Sequence, residues 1–271
     1  WGDDDHLDVL KLQADGLTPV NPNVIIVAGK PIDSILGLQV YGNLKKFYMM
    51  KGIVAEDNIG DFEKNIPSSI RTITPVEKDN IRYFEYGYDW RRRLDLVSSG
   101  LELKIDKEVL KKTGMDKVVV YAHSMGGLVF RDYHRTNHGK TKLFISMGTS
   151  YLGAGKAYGI LRNEASFGGF WGIHDDSKIS EITQNFPGIY HLLPTQQYFD
   201  RRAYGYLIND KFDNIPPTGK LSLMDTYFND PQTNLSNPNL VNIALGFFNR
   251  QVGFENAMEM YLIYGKTKSR D

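Results

Sequence analysis

Lys117-Val118-Val119-Val120-Tyr121-Ala122-His123-Ser124-Met125-Gly126-Gly127 decides how this chain is read. A β-branched apolar run ends at a serine, and a glycine pair follows one residue later. That layout predicts a nucleophile elbow, in which a strand turns sharply into a helix and lifts a serine hydroxyl above the sheet. Small residues two positions before and after the serine avoid a clash across the turn. Ala122 and Gly126 fill those places, so the motif is A-x-S-x-G where G-x-S-x-G is usual. Leu128-Val129-Phe130-Arg131-Asp132-Tyr133 then continues as a helix. A buried strand followed by an ordinary glycine turn would share the core of this pattern; the Val-rich strand before and the helix after favour the elbow.

The chemistry follows from the geometry. A serine hydroxyl is a weak nucleophile near neutral pH and needs a base beside it. It also needs donors aimed at the oxyanion that develops on the acyl carbon. Ser124 is the candidate nucleophile. The backbone N–H of Met125 is one candidate oxyanion donor, at a helix N-terminus where free N–H groups favour negative charge. The second donor should come from a loop after an earlier strand. Asn23-Val24-Ile25-Ile26-Val27-Ala28-Gly29-Lys30 fits that place, and the N–H of Lys30 is the candidate. Pro31 has no N–H and biases Lys30 towards an extended backbone.

Outward from these segments the chain alternates. Val24–Val27 reads as a buried strand. Ser34–Lys51 reads as a helix with Leu36, Val40, Leu44 and Phe47 at helical spacing. Ile81–Tyr86 reads as a strand, Arg93–Thr113 as a helix leading into the elbow strand, and Leu143–Met147 as the next strand. Such alternation predicts an α/β fold, a mostly parallel sheet with helices on both faces. From about residue 150 to 246 the strand rhythm is lost and glycine, Asn, Pro and aromatics accumulate, with Phe167-Gly168-Gly169-Phe170-Trp171-Gly172 at the centre. Glycines beside large apolar side chains can close over an acyl chain and exclude water; the same aromatics can equally pack that segment onto the core.

Composition narrows the function classes. The 271 residues carry 32 Lys+Arg against 32 Asp+Glu. No net charge therefore draws the chain to nucleic acid or an anionic membrane. There is no cysteine, which excludes disulfides, thiolate-bound metal and a thiol nucleophile. No apolar run approaches the roughly 18 residues of a membrane span, no zinc-type cluster or phosphate-cradling loop is present, and no cofactor is expected.

Together these segments resemble the lecithin:cholesterol acyltransferase-like family of α/β hydrolases, which includes lipases, phospholipases and acyltransferases. Val24–Gly29 is similar to the family's first strand and oxyanion glycine. Tyr88-Asp89-Trp90-Arg91 matches its Tyr-Asp-Trp-Arg signature, the most discriminating element, and Ala122–Gly127 its elbow. Phe144–Thr149 with Leu152-Gly153 resembles the next strand and its Gly-Thr-Pro loop. Phe186–Pro194 resembles a segment ending in Leu-Leu-Pro, and Tyr261–Gly265 the late Ile-Tyr-Gly strand. Lys30–Asp33 and Ser150-Tyr151 depart from the family pattern. The resemblance implies one α/β-hydrolase domain over 1–271 with a cap or lid over about 150–246. Trp90, Phe170 and Trp171 are its pocket or lid candidates. Asp89-Trp90-Arg91 admits a second reading, in which the charged pair fixes a loop. The resemblance also implies a lipid or other acyl-ester substrate, transient contact with a lipid surface, and hydrolysis or acyl transfer through an acyl-enzyme on Ser124.

The triad is the difficulty. In the family the acid and histidine follow the Ile-Tyr-Gly strand, whereas only Lys266–Asp271 follow Gly265 here, with no histidine. Of the six histidines, His6 lies in an acidic lead-in, His123 is expected to point into the scaffold, and His134 and His138 lie on or just past the elbow helix. His191 precedes Leu-Leu-Pro. His174, in the glycine- and aromatic-rich insertion, is the in-chain candidate. The expectation is that the chain is incomplete, the strand at Tyr261 lying inside a sheet whose remaining part, with the base, comes from further chain or a second polypeptide. Because the chain opens at Trp1, a removed leader and a secreted or cell-surface location are also expected. A domain that binds lipid or a partner without catalysis is the alternative.

Overall fold

The computed structural model describes residues 4–26, 28–29, 34–35, 38–39, 41–42, 44, 54–55, 81–161, 176–201, 237–251 and 259–264. They fall into two compact units, Trp1–Ile26 with Trp90–Ser99 and Val119–Asp271, and Val27–Asp89 with Gly100–Val118.

In the second unit β1 (Ser34–Ile35) and β2 (Leu38–Gln39) pair antiparallel, Ser34 opposite Gln39. The helix expected from Ser34 therefore gives way to a strand pair over these residues. Gly37, between them in sequence, is a poor helix former and a good turn residue. β3 (Val54–Ala55) and β4 (Ile81–Tyr83) run parallel. The helix predicted over Arg93–Thr113 forms as α1 (Leu94–Leu103), whose residues up to Ser99 belong to the first unit, a π-helical stretch Lys104–Val109, and α2 (Leu110–Thr113). Glu108 bridges the ammonium groups of Lys104 and Lys112, 3.0 Å from each. Both ammonium groups lie about 6 Å from the centre of the Phe84 ring, a cation–π geometry.

The run at Val24–Val27 departs from expectation. Its described residues Val24–Ile26 form no strand, and Ile25 is 85% exposed. Asn21 turns the chain there, its side-chain oxygen accepting from Asn23 N–H at 3.0 Å and its carbonyl from Val24 N–H at 3.1 Å. A short apolar run becomes a strand only where a neighbouring edge and a packing surface meet it.

The first unit carries the elbow. β5 (Val118–His123) leads into α3 (Met125–Thr136), followed by β6 (Thr141–Met147). α4 (Gly155–Leu161), α5 (Asp176–Thr183), α6 (Pro187–Tyr190), α7 (Gln196–Arg201) and α8 (Pro238–Gln251) come next, and β7 (Glu259–Ile263) closes the described chain. The sheet order is β5-β6-β7. β6 and β7 are parallel, with Leu143 opposite Glu259 and Met147 opposite Ile263. Ser124 N–H donates to Met147 O at 2.9 Å and Gly148 N–H to Ile263 O at 2.8 Å, so the carboxyl ends of all three strands meet. That is the edge at which open α/β sheets place their sites. A mostly parallel sheet with helices is thus an α/β fold.

Two clusters hold this unit. α3 sits on β6 through Phe130 and Phe144, both fully buried, with ring centroids 4.1 Å apart. A second cluster joins α4, α5, α6 and α8 through Tyr158, Ile182, Phe186, Tyr190 and Leu240. The described residues between 150 and 246 are helical or irregular and contain no strand, as the lost alternation predicts. Among the described strands β7 stands at the edge of this three-stranded sheet and is exposed along its length.

Two outcomes follow from the packing. Phe130→Ala should cost about 3–5 kcal/mol, read as a lower denaturation midpoint. The second concerns His191, stacked on Phe247 at 4.5 Å. Burial pushes its imidazole down to about 3, with Asp95 opposing and Arg93 and Arg250 adding to the shift. The unfolded chain protonates this ring near pH 6.5 while the folded chain keeps it neutral. This contribution to stability is therefore present above about pH 6.5 and falls as the pH drops towards 3, by at most about 1.4 kcal/mol per pH unit. Urea midpoints between pH 7 and pH 4 should show that loss, and His191→Phe should flatten it.

Candidate active site

Ser124 has φ 50° and ψ −125°, and it is the one described residue other than glycine with positive φ. An L-residue held there costs roughly 1–3 kcal/mol and persists only where its surroundings impose it. Three contacts do so. Ser124 N–H is held by Met147 O, at the end of the neighbouring strand. Ser124 O accepts from Gly127 N–H at 3.0 Å, starting the helix at once. Thr149, on the loop after β6, is pressed against Gly127 so closely that a β-carbon there would lie 2.0 Å from Thr149 Oγ1. Gly127 is thus a glycine for want of space.

Serine at the first position before a helix normally turns its hydroxyl onto the helix's own N–H groups. Ser124 holds that position and makes no such bond. Among the described residues nothing hydrogen-bonds its hydroxyl, and the side chain is half-buried at the carboxyl edge of the sheet. Met125 opens α3, where the first N–H groups lack intrahelical acceptors. A hydroxyl free of capping duty beside such N–H groups is suited to attack a carbonyl carbon and leave its oxygen facing the helix N-terminus.

Behind the elbow lies a hydrogen-bonded chain that sequence reading did not single out. Tyr151 O–H donates to Ser146 Oγ at 2.8 Å, and Ser146 O–H donates to Thr149 Oγ1 at 2.9 Å. The Arg131 guanidinium lies over the Tyr151 ring at 5.5 Å. Burial raises the Tyr151 phenol and lowers the Arg131 guanidinium. Ser150-Tyr151 was visible only as a departure from the family pattern; its contact with Ser146 needs β6 and its loop to be folded.

The other candidates divide. Lys30, Phe170, Trp171 and His174 lie outside the described residues. Trp90 packs edge-to-face on Phe186 at 5.6 Å and is 37% exposed. Its carbonyl lies so close to Gly188 that a β-carbon there would fall within 1.9 Å. Arg91 is buried, donates to Leu10 O at 2.7 Å and lies over the Phe186 ring. This part of the Tyr-Asp-Trp-Arg segment clamps the α6 turn. His123 is exposed, contrary to the expectation that it points into the scaffold. His134 is buried against Phe130, and His138 meets it edge-to-face at 5.2 Å. No group of three or more His, Asp or Glu suited to a metal occurs among the described residues, and none of their helices is long and apolar enough to cross a membrane.

A strained serine between the first described strand of this sheet and its helix, on a mostly parallel sheet, marks a protein of the α/β-hydrolase class. The family model for lecithin:cholesterol acyltransferase matches residues 76–269, and the chain belongs to that family. Uncharacterized protein YJR098C of Saccharomyces cerevisiae is 29% identical over 99 residues, which cover 32% of this chain and 15% of that protein. A solved chain of the Tle4–Tli4 complex aligns with a TM-score of 0.45 at 18% identity, over 84% of this chain and 52% of that one. The chain thus spans about half or less of the length of these matches.

Two substitutions test the elbow. Ser124→Gly removes strain of about 1–3 kcal/mol and costs about 0.5–1 kcal/mol in unfolded-chain entropy; the thermal midpoint should rise. Gly127→Ala should lower it, and the double variant with Thr149→Gly should recover part of the loss.

Proposed function

We propose that this protein is a serine-dependent lipid ester hydrolase, a lipase or phospholipase, with acyl transfer as a second outcome of the same intermediate. The observation that carries the reading is the strained, uncapped Ser124 at the carboxyl edge of the sheet. Family membership supports it, because lipid substrates and esterase or acyltransferase activity fit this family.

In this reading Ser124 Oγ attacks the ester carbonyl and gives up its proton to a base. The Met125 and Lys30 N–H groups hold the oxyanion. The carbonyl–alkoxy bond breaks, the alcohol leaves with that proton, and an acyl-enzyme remains. Water then adds and releases the fatty acid; an alcohol in place of water gives a new ester. The base and its acid belong to the proposal without an assigned residue. The rest of the proposal is the helices on both faces of the sheet, the 150–246 cap with Phe170 and Trp171 closing on the acyl chain, Trp90 beside it, transient lipid-surface contact, and a secreted or cell-surface location.

A second reading, lipid or partner binding without turnover, is favoured by the absence, among the described residues, of any hydrogen bond to the Ser124 hydroxyl. Fluorophosphonate labelling of the natural protein separates the two. A label on Ser124, lost in Ser124→Ala, is expected. A folded protein that takes no label and binds lipid equally as Ser124→Ala would exclude catalysis. Activity in the natural form should fall at least about a thousandfold in Ser124→Ala.

A further inference from the structure

The loop after β6 is fixed by backbone bonds at both ends. Gly148 N–H donates to Ile263 O at 2.8 Å, at the end of β7. Ala154 N–H donates to Leu192 O at 2.8 Å, and Thr195 N–H to Leu152 O at 2.9 Å. Between these anchors Thr149 reaches the elbow. Its hydroxyl oxygen is the atom that a β-carbon on Gly127 would meet first, ahead of its methyl group and its own β-carbon. Gly127 N–H in turn donates to Ser124 O at 3.0 Å. The place of Thr149 Oγ1 therefore bears on the first turn of α3, which follows directly on Ser124 and opens with Met125 N–H.

Thr149 Oγ1 is itself held from behind. It accepts from Ser146 O–H at 2.9 Å, and Ser146 Oγ accepts from Tyr151 O–H at 2.8 Å. Ser146 is buried and sits within β6, so the middle of this chain is carried by the sheet. The Thr149 hydroxyl also lies within hydrogen-bonding reach of the phenol. The Tyr151 ring lies under Arg131 of α3, so the phenol that starts the chain is seated against the same helix whose first turn the chain reaches. Hydroxyls linked in this way polarise one another, and away from water each bond is stronger than in solution.

We propose that Tyr151 is a positioning residue for Ser124: its hydroxyl, through Ser146, sets Thr149 against Gly127 and so fixes the first turn of α3 beside the nucleophile. This role rests on Ser124 being the nucleophile proposed above. Tyr151 acts through Thr149 and not on the substrate. Backbone stiffness can take the place of its hydroxyl. Tyr151 N–H donates to Thr149 O at 3.0 Å, which closes a three-residue turn centred on Ser150. Ser150 is not among the residues of positive φ, so the turn is an inverse γ-turn, whose central φ is about −75°. A proline ring holds φ at about −65°, close to that value. Among the described residues no backbone bond uses Ser150 N–H. Ser150→Pro therefore stiffens the turn that carries Thr149 and leaves its hydrogen bond in place.

Saturation kinetics of fluorophosphonate labelling on the natural protein test this role. Tyr151→Phe keeps the ring under Arg131 and removes only the hydroxyl. Its maximal labelling rate should fall at least about fivefold, the worth of one hydrogen bond. The half-saturating probe concentration should stay unchanged, and labelling should still run to completion. Thr149→Val keeps the shape pressed on Gly127 and should slow labelling by as much. In that background Tyr151→Phe should add less than about twofold, because both changes break one chain. Ser150→Pro should bring the Tyr151→Phe rate most of the way back. An unchanged rate in Tyr151→Phe, losses that add in the double variant, no recovery with Ser150→Pro, or a loss only in the final labelled fraction would each overturn the role and leave Ser124 as the nucleophile. A wild-type protein that takes no label would overturn the nucleophile and this role together.

Discussion

The backbone at Ser124 is held in a conformation that an L-residue avoids, and the arrangement of the first unit is organised around holding it there. The strain, of order 1–3 kcal/mol, is local, while what opposes it is not. β6 supplies Met147 O to the Ser124 N–H, and the loop after β6 supplies Thr149 to close on Gly127. α3 is in turn fixed to β6 by Phe130 and Phe144. Strand, turn and helix are therefore mutually fixed, and the serine hydroxyl is kept off its own helix. A relaxed backbone would let it cap α3, which serine does readily.

The loop after β6 has two roles. Through Thr149 it packs against the elbow. Through Ser150, Tyr151 and Gly153 it lines a cavity of about 300 Å³ that Leu128 of α3 and Phe247 of α8 also wall. Tyr151 joins these roles, with its hydroxyl bonded to Ser146 and its ring under Arg131. Arg131 also donates to the carbonyl of Gln251, at the end of α8. A polar chain thus runs from the strand behind Ser124 to the helix that lines the cavity. His191 borders the same region, accepting from the Leu94 N–H and stacking on Phe247 of α8.

The elbow was legible in the sequence because every part of it is local. A β-branched strand, small residues flanking a serine and an amphipathic helix are preferences of contiguous residues, and Val118–Thr136 formed as read. The helix over Arg93–Thr113 was legible for the same reason, as was the loss of strand alternation after residue 150. Val24–Ile26 and Ser34–Gln39 were misread because a short apolar run takes its conformation from whatever edge or surface reaches it. The exposure of His123 likewise depends on what packs around the end of β5.

The sequence by itself determined the α/β class, the serine turn between strand and helix, and the family. The turn rests on side-chain size and backbone preference of contiguous residues, the class and the family on motifs spread along the chain. Only the tertiary structure decided that Gly127 is a glycine because Thr149 occupies the space of a β-carbon, that Tyr151 bonds back to Ser146, and that His191 accepts from the Leu94 N–H. His191 and Leu94 are 97 residues apart in the chain. Such a contact exists only once packing has brought the two elements together and removed water from between them.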